Sequence, residues 1–326
     1  MPKGSKRQSR YHGVVPVDKP EGMTSQDVVN VVRRVAGTRR IGHTGTLDPL
    51  ATGLLLVLVG EATKLSEYMI GFDKEYVGTM RLGVQSDTHD AQGEIIDGPG
   101  QPLPDLQALK RLAEPLTGEI SQVPPAFSAV KVKGRKLYEY ARKGESVKVE
   151  ARTVRVDAFD ILELNEDVAH FRVACSSGTY VRSLVHQIGQ DAGCGAIVTS
   201  LRRTVIEDFH IDEAVTIDQL REAGDEGFGD FLLPMLDTLT SWPIYYVETG
   251  GVDWLRRGQA IPATLAQLDG ESAAGRIDDL VFLCALGGDA VAVARVVPRP
   301  PSRPPAQLSR HVGLWFQPVK LLIPGD

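Results

Sequence analysis

The sequence has few cysteines and no long apolar run. Its three cysteines, Cys175, Cys194 and Cys284, lie far apart in the chain, a spacing that suits neither a disulfide framework nor a zinc site. The apolar run "LLLVLV" at 54–59 is much shorter than the ~18 residues of a membrane-spanning helix and predicts a buried strand. We therefore expect a cytoplasmic protein that does not cross a membrane.

The chain also lacks an excess of basic charge, since its formal net charge is −6. That value argues at first sight against a nucleic-acid partner, but the charge is unevenly distributed. Residues 131–155 hold nine basic and three acidic side chains, whereas residues 205–237 hold ten acidic side chains and one basic one. Because a nucleic-acid footprint is local, RNA binding stays open, although such a basic run is also typical of a solvated surface.

The N-terminal segment "MPKGSKRQSRYHG" is basic and is not followed by an apolar segment. We therefore expect a flexible basic tail over residues 1–12 rather than a signal peptide. The length of 326 residues suggests about two domains. From residue 243 onward the pattern changes to short strands, interrupted by a Pro-rich loop at 298–306, which predicts a small β-rich C-terminal domain.

Hydrophobic periodicity predicts the main helices and strands. Thr24 and Asp27 form a capping-box pattern ahead of valines at helical spacing, which indicates a helix over 24–37. The remaining patterns predict helices at 61–69, 103–118 and 179–193, strands at 74–84, 151–164 and 168–178, an exposed excursion over 122–150, and peripheral helix and linker up to Asp237.

Three segments resemble common active-site motifs, but each lacks a residue or a spacing that its motif requires. "GTRRIGHT" at 37–44 resembles a phosphate loop, but His43 replaces the essential Lys, and a helix precedes it where a strand is required. "DTHD" at 87–90 lacks metal-binding spacing, and "CSSGT" at 175–179 lacks the spacing of a nucleophile elbow. We therefore expect neither a nucleotide site nor a metal site.

The segment "GHTGTLDPLATG" at 42–53 is irregular and carries one carboxylate, Asp48. Gly, Asp and Pro disfavour regular elements, and Pro49 directs Asp48 into an extended conformation. A loop aspartate is most often a turn residue whose carboxylate accepts backbone N–H bonds. Flanking glycines let the backbone approach a ligand closely, and Pro49 fixes the backbone direction at the carboxylate, so a functional carboxylate stays open as the alternative. A glycosidase-type pair would need a second carboxylate, which the sequence does not place.

The same region has a counterpart in a known family. Residues 42–65, "GHTGTLDPLATGLLLVLVGEATKL", closely resemble the catalytic motif of bacterial TruB-type tRNA pseudouridine synthases. Other segments resemble that family's further landmarks, in its order over about residues 14–240, and residues 243–326 more loosely resemble a PUA-type RNA-binding domain. These landmark segments are "VDKPEGMTS" at 17–25, "KEYVGTMRLG" at 74–83, "SDTHDAQG" at 86–93, "SAVKVKGRKLYEYAR" at 128–142, "CSSGTYVRSL" at 175–184 and "CGAIVTSLRRT" at 194–204.

The resemblance implies an α+β fold. We expect a catalytic domain over 13–240, built on a twisted mixed β-sheet with flanking helices and an RNA-binding thumb insertion at about 125–152. A small β-barrel-like PUA-type domain follows over 243–326. The implied activity is isomerisation of uridine to pseudouridine at position 55 in the T-arm loop of tRNA, without a cofactor, metal or obligate protein partner, by a monomer.

The resemblance also implies roles for individual residues. Asp48 is the expected nucleophile, Tyr76 contacts the flipped base, and Arg182 pairs with Asp48. The remaining expected substrate-binding or RNA-binding residues are His43, Tyr180, Leu201, Lys19, Lys64, Asp90, Lys131, Lys133 and Lys136. Because the carboxylate must be ionised, we expect Arg182 to lower its pKa while holding it in bidentate geometry.

A second hypothesis comes from a different functional class. The large share of RNA-contact sequence relative to one catalytic residue also suits a tRNA-binding or tRNA-folding protein whose catalysis is dispensable. The two hypotheses differ in whether an Asp48→Asn variant still supports the biological role.

Overall fold

The computed structural model describes residues 9–145, 147–270, 274–298 and 313–323. Within these ranges the chain has an α+β architecture built on two mixed sheets. Its helices are α1 (Ser25–Val35), α2 (Ser66–Met69), α3 (Leu106–Ala113), α4 (Leu137–Ala141), α5 (Val181–Asp191), α6 (Ile217–Gly227) and α7 (Thr249–Arg256).

The strands follow one another along the whole described chain. They are β1 (Gly13–Lys19), β2 (Ile41–His43), β3 (Thr52–Val59), β4 (Lys74–Leu82), β5 (Val84–Ser86), β6 (Ile95–Asp97), β7 (Gly118–Gln122), β8 (Lys131–Val132), β9 (Arg135–Lys136), β10 (Arg152–Asn165), β11 (Val168–Cys175), β12 (Ala196–Ile206), β13 (Phe209–His210), β14 (Val215–Thr216), β15 (Ile244–Val247), β16 (Ile261–Pro262), β17 (Ala266–Leu268), β18 (Leu280–Ala285), β19 (Ala290–Val297) and β20 (Trp315–Leu321).

The larger sheet carries the first part of the chain. Its main path is β14-β1-β3-β12-β4-β11-β10-β7, with β2 paired to β3 and β13 paired to β12. The pairs β1–β14 and β3–β12 are parallel and the other pairs are antiparallel. The predicted twisted mixed sheet with flanking helices is therefore confirmed.

Strand β3 is buried on both faces, which explains its continuous apolar sequence. Leu55, Val57 and Val59 pack in a cluster with residues of α1 and α6 on one face. Leu54 and Leu56 face the opposite side, in a cluster that also contains residues of β18 and β19. The strand predicted at 54–59 is confirmed, and it ties the two sheets into one packed unit.

The smaller sheet contains the C-terminal strands in the order β16-β20-β19-β18-β15-β17. It curls into a half-barrel, as expected for a PUA-like domain. Phe282, Cys284 and Val293 of this sheet share the buried cluster with β3. The boundary predicted near residues 240–243 lies just before β15, and a continuous apolar core crosses it.

The predicted capping of α1 is confirmed. The Thr24 hydroxyl accepts from the Asp27 N–H at 3.1 Å, and the Asp27 carboxylate accepts from the Thr24 N–H at 2.9 Å. The two paired strands expected at 151–164 and 168–178 form β10 and β11, which pair antiparallel. These features depend on local spacing, which is why the sequence predicts them well.

Other elements differ from the prediction. The irregular segment expected over 42–53 is shorter, because its ends belong to β2 and β3 and only residues 44–51 remain irregular. The helix expected over 103–118 stops at Ala113, where Glu114–Leu116 tighten into a 3-10 turn containing Pro115. The helix expected over 61–69 is a 3-10 turn followed by one α-helical turn.

Some expectations fall outside the described residues. Most of the predicted basic tail and the predicted Pro-rich loop, residues 1–8 and 299–306, are not described. No helix in the described ranges is both long and apolar enough to cross a membrane. All three cysteines are free and buried.

A glycine in β3 is required for its parallel pairing with β12. Gly53 has a φ of +97°, and a Cβ there would lie 2.3 Å from the carbonyl oxygen of Arg203. We expect Gly53→Ala to lower the free energy of unfolding by about 2 kcal/mol or more, through backbone strain and overlap. The matched control is Gly71→Ala, whose Cβ would make an ordinary 3.8 Å contact. Urea denaturation of both variants tests this, and an equal stability of the two would contradict it.

Candidate active site

The irregular residues 44–51, termed here the Asp48 loop, connect β2 to β3 and are held by groups from distant elements. The Ser25 hydroxyl accepts from the Leu47 N–H at 2.8 Å and lies 3.2 Å from the Leu47 carbonyl. The Arg203 guanidinium donates to the Gly45 carbonyl at 3.2 Å and to the Leu54 carbonyl at 2.7 Å. The loop is therefore fixed although it has no regular structure of its own.

Lys19 holds the same loop from β1. Its side chain is fully buried, and its Nζ donates to the carbonyls of Met23 at 2.6 Å, Pro20 at 3.0 Å and Pro49 at 3.4 Å. Burial lowers the pKa of Lys19 to about 8, while the nearby carboxylate of Asp48 acts in the opposite direction. The contacts of Lys19 are therefore with the main chain of its own protein.

Asp48 is the ionisable side chain of this loop and is partly exposed. Its Oδ2 lies 2.9 Å from Nε of Arg182, and its side chain is 39% exposed whereas that of Arg182 is 5% exposed. Burial raises the pKa of the Asp48 carboxyl, and Arg182 opposes that shift. The negative charge of Asp90 raises this pKa further, and Lys19 lowers it. The result is an accessible carboxylate beside a buried cation.

The arrangement around Arg182 corrects the expected bidentate pair. Nη1 lies 3.3 Å from Oδ2 of Asp90 and donates to the Thr88 carbonyl at 2.7 Å, while Nη2 donates to the Phe127 carbonyl at 3.0 Å. Arg182 therefore divides its charge between two carboxylates, and its shortest contact with Asp48 is through Nε. Arg182 lowers the pKa of Asp48 as expected, but burial outweighs this effect and the net shift is upward.

Asp48 lies in an open cavity of about 490 Å³. Tyr76 from β4, Leu201 from β12, and Tyr180 and Arg182 at the start of α5 line it together with Asp48. Burial raises the pKa of the Tyr76 phenol, which keeps its hydroxyl protonated at neutral pH. The structure thus brings these five expected site residues to one cavity, with a carboxylate next to an aromatic and an aliphatic wall.

Three basic residues of the cavity were not identified from the sequence. Arg203, Lys74 and Arg152 all line it, and burial lowers the pKa of Lys74 to about 8. Arg203 and Lys74 lie within sequence segments that resemble family landmarks, and each is a basic side chain in a mostly apolar strand. A charged residue on the buried face of a strand was the signal available for them.

Other expected site residues lie away from the cavity wall. Asp90 is buried and accepts from the Thr88 hydroxyl at 2.6 Å and the Gln92 N–H at 3.0 Å, so it orders its own turn. Lys64 pairs with Glu61 at 2.6 Å and donates to the Leu321 carbonyl in β20. The side chains of Asp90 and Lys64 therefore both make polar contacts within the protein.

His43 is also outside the cavity lining. It is half-buried in β2, and its Nδ1 accepts from the Gly45 N–H at 3.3 Å. Burial lowers the pKa of His43, and the nearby positive charge of Arg203 lowers it further. The imidazole is therefore neutral near pH 7 and supports the first turn of the Asp48 loop.

The predicted thumb contains a small hairpin, β8–β9, followed by α4. Lys131 and Lys133 are exposed there, and Lys136 is half-buried with its Nζ 5.5 Å from the centre of the Tyr138 ring. The Arg135 guanidinium lies 4.1 Å from the Tyr140 ring centre. The two tyrosines thus hold cations in place on this surface, contacts of the cation–π type.

Within the described ranges, no group of three or more His, Cys, Asp or Glu side chains is arranged to hold a metal ion.

Two family models match consecutive parts of the chain. The N-terminal domain of the TruB family pseudouridylate synthases matches residues 33–181. The tRNA pseudouridylate synthase B C-terminal domain matches residues 182–239. The two models meet between Val181 and Arg182, within α5, and together they include every residue of the cavity described above.

Curated relatives and solved structures agree with these models. The tRNA pseudouridine synthase B of Citrobacter koseri is 36% identical over 92% of this chain and 98% of its own. The protein of the same name from Burkholderia lata is 43% identical over 80% of each chain.

Two solved structures share the fold over almost the whole chain. One is a chain in an H/ACA RNP bound to a substrate RNA containing 2'-deoxyuridine, with a TM-score of 0.69, 25% identity and coverage of 97% of this chain and 86% of its own. The other is a chain in a Cbf5-Nop10-Gar1 complex, with a TM-score of 0.66, 27% identity and coverage of 96% and 85%. By its sequence models, its relatives and its fold, this chain belongs to the TruB family of pseudouridylate synthases.

Proposed function

We propose that this protein isomerises uridine to pseudouridine at position 55 in the T-arm loop of tRNA, with Asp48 as the nucleophilic carboxylate. The names of the curated relatives supply tRNA as the substrate. The observation that carries the catalytic assignment is the carboxylate of Asp48, which is open to the cavity while its partner Arg182 is buried behind it.

The chemistry of the isomerisation suits this cavity. The N1–C1′ bond of uridine breaks, a C5–C1′ bond forms, C5 loses a proton and N1 gains one, so there is no net oxidation or reduction. A carboxylate assists either by adding to the ribose or by removing a ribose proton while the freed uracil rotates. Both routes need an ionised Asp48, and neither needs a cofactor.

The reaction also requires the target base to leave its stack. Extruding a base from an RNA loop costs a few kcal/mol, which contacts in the pocket must offset. Tyr76 and Leu201 give the cavity one aromatic and one aliphatic wall, which suit the two faces of a flipped pyrimidine. The basic thumb at about 125–152 lies outside this cavity wall for most of its length and is proposed to contact phosphates of the T-arm.

Replacing the carboxylate tests the assignment directly. We expect Asp48→Asn to bind tRNA with an affinity close to that of the unchanged protein and to yield no pseudouridine, because Asp90 still balances Arg182. The measurement is carbodiimide-based primer extension on unmodified tRNA, beside a filter-binding titration. Asp218→Asn, which removes an exposed carboxylate on α6, is the control. Substantial product from Asp48→Asn would refute the role of Asp48.

The raised pKa of Asp48 predicts the acid side of the pH profile. Because the reactive form is ionised, the single-turnover rate falls as pH drops through that pKa. The midpoint of this fall in rate therefore lies above ~3.9, the pKa of a free aspartate. We expect Asp90→Asn to move this midpoint to lower pH, since the charge of Asp90 raises the pKa of Asp48. Rates measured with saturating enzyme across pH 4 to 7 decide the point, and a midpoint that rises in Asp90→Asn would contradict it.

The thumb proposal predicts a change in salt dependence. Replacing Lys131, Lys133 and Lys136 by Ala weakens tRNA binding and reduces the slope of log affinity against log salt by about 2 to 3, since each lost phosphate contact removes roughly 0.7 to 0.9. The control replaces three exposed basic residues of α1 and α3, namely Arg34, Lys110 and Arg111. If both triple variants keep the original slope, the thumb surface is only solvated.

A further inference from the structure

The root of the thumb is the pair of residues where the chain leaves and re-enters the larger sheet. Gln122 ends β7 and Arg152 begins β10, and the two are directly opposite each other in the antiparallel register. Residues 123–151 form the excursion between them. Contacts that hold Gln122 and Arg152 in place therefore also set the position where the thumb starts.

Gln122 is bound to the first turn of α5. Its Oε1 accepts from the Tyr180 N–H at 2.8 Å, and its Nε2 donates to the Tyr180 carbonyl at 3.1 Å. Tyr180 is the N-cap of α5 and its own side chain makes no capping bond. With only 6% of Gln122 exposed, this amide satisfies the Tyr180 N–H, which would otherwise be left unpaired at the helix start. The Tyr180 carbonyl also accepts from the N–H groups of Ser183 and Leu184, so the Gln122 Nε2 adds a further donor to it.

Arg152 binds the same turn from the other strand. Its Nη2 donates to the Gly178 carbonyl at 2.6 Å, and its guanidinium carbon lies 5.1 Å from the centre of the Tyr180 ring. Gly178 has a φ of +83°, so the turn before α5 depends on a glycine. Both residues of the thumb root thus contact the residues that begin α5.

The first turn of α5 also carries the ion-pair partner of Asp48. Arg182 follows Tyr180 by two residues, and besides Asp48 it binds the Phe127 carbonyl inside the thumb at 3.0 Å. A shift of the helix start by a fraction of an ångström therefore moves Tyr180 and Arg182 together. Displacements of about 1 Å in an active site lower rates by roughly a hundredfold.

We propose that Gln122 is a positioning residue for the isomerisation, which sets Tyr180 against the cavity and Arg182 against Asp48 through its paired hydrogen bonds. The thumb root then contributes to the rate of the chemical step as well as to RNA affinity. This inference rests on the proposed function, because it concerns the rate of that reaction.

The test compares Gln122→Met with Gln187→Met. The first change removes both hydrogen bonds and keeps the side-chain volume, while the second removes an exposed glutamine that bonds Asp191 on the same helix. We expect the single-turnover rate of Gln122→Met to fall ten- to a hundredfold, with the tRNA Kd within about threefold of the unchanged protein. Gln187→Met keeps the original rate.

The pH profile separates positioning from a loss of stability. The charged groups that act on Asp48 are Arg182, Lys19 and Asp90, and Arg182 lowers its pKa. A displaced Arg182 therefore moves the acid midpoint of Gln122→Met to higher pH, which a merely less stable protein does not show. Gln122→Glu keeps the acceptor for the Tyr180 N–H and loses the donor, so its rate lies between those of the unchanged protein and Gln122→Met. It also serves as the test protein if the Met variant does not fold.

Three results would overturn the proposal. These are an unchanged rate in both Gln122 variants, a weaker tRNA Kd with an unchanged rate, or a lower melting temperature with the original rate and midpoint. Failure of the proposed function is recognised separately, because the unchanged protein would then form no pseudouridine in the tRNA T-arm at all.

Discussion

Three buried cations fix the surroundings of the carboxylate on which the site depends. A loop without regular hydrogen bonding must satisfy its carbonyl groups from elsewhere, and here Lys19 from β1 and Arg203 from β12 donate to them. Arg182 performs the same task for the chain around Thr88 and Phe127 while it pairs with Asp48. The lowered pKa of Lys19, about 8, reflects what it costs to bury such a charge.

Arg182 is shared between Asp48 and Asp90, and both neighbours affect the pKa of the Asp48 carboxyl. One guanidinium faces both Asp48 and Asp90, so two carboxylates share it. Burial raises the pKa of Asp48, the charge of Asp90 adds to that shift, and Arg182 and Lys19 oppose it. A carboxylate with a raised pKa is a better base and nucleophile than an ordinary aspartate, provided that it is ionised at the working pH.

The two sheets and the thumb root all contact either β3, which follows the Asp48 loop, or the start of α5. The Asp48 loop leads directly into β3, whose two faces pack against α1 and α6 on one side and against the C-terminal half-barrel on the other. The start of α5 receives contacts from both ends of the thumb through Gln122 and Arg152. The parts proposed to hold RNA are thus mechanically connected to the parts proposed to act on it.

Features that depend on spacing along the chain were predictable from the sequence. It predicted the capped α1, the buried β3 and the β10–β11 pair, and its resemblance to a family singled out Asp48, Tyr76 and Arg182. The folded chain was needed to show that Lys19 and Asp90 contact their own chain instead of facing outward, that Arg203 reaches the Asp48 loop, and that Arg182 contacts two carboxylates. The contacts of Arg203 and Arg182 join residues far apart in the sequence, and those of Lys19 and Asp90 depend on how nearby turns fold. Hydrophobic periodicity carries no information about either.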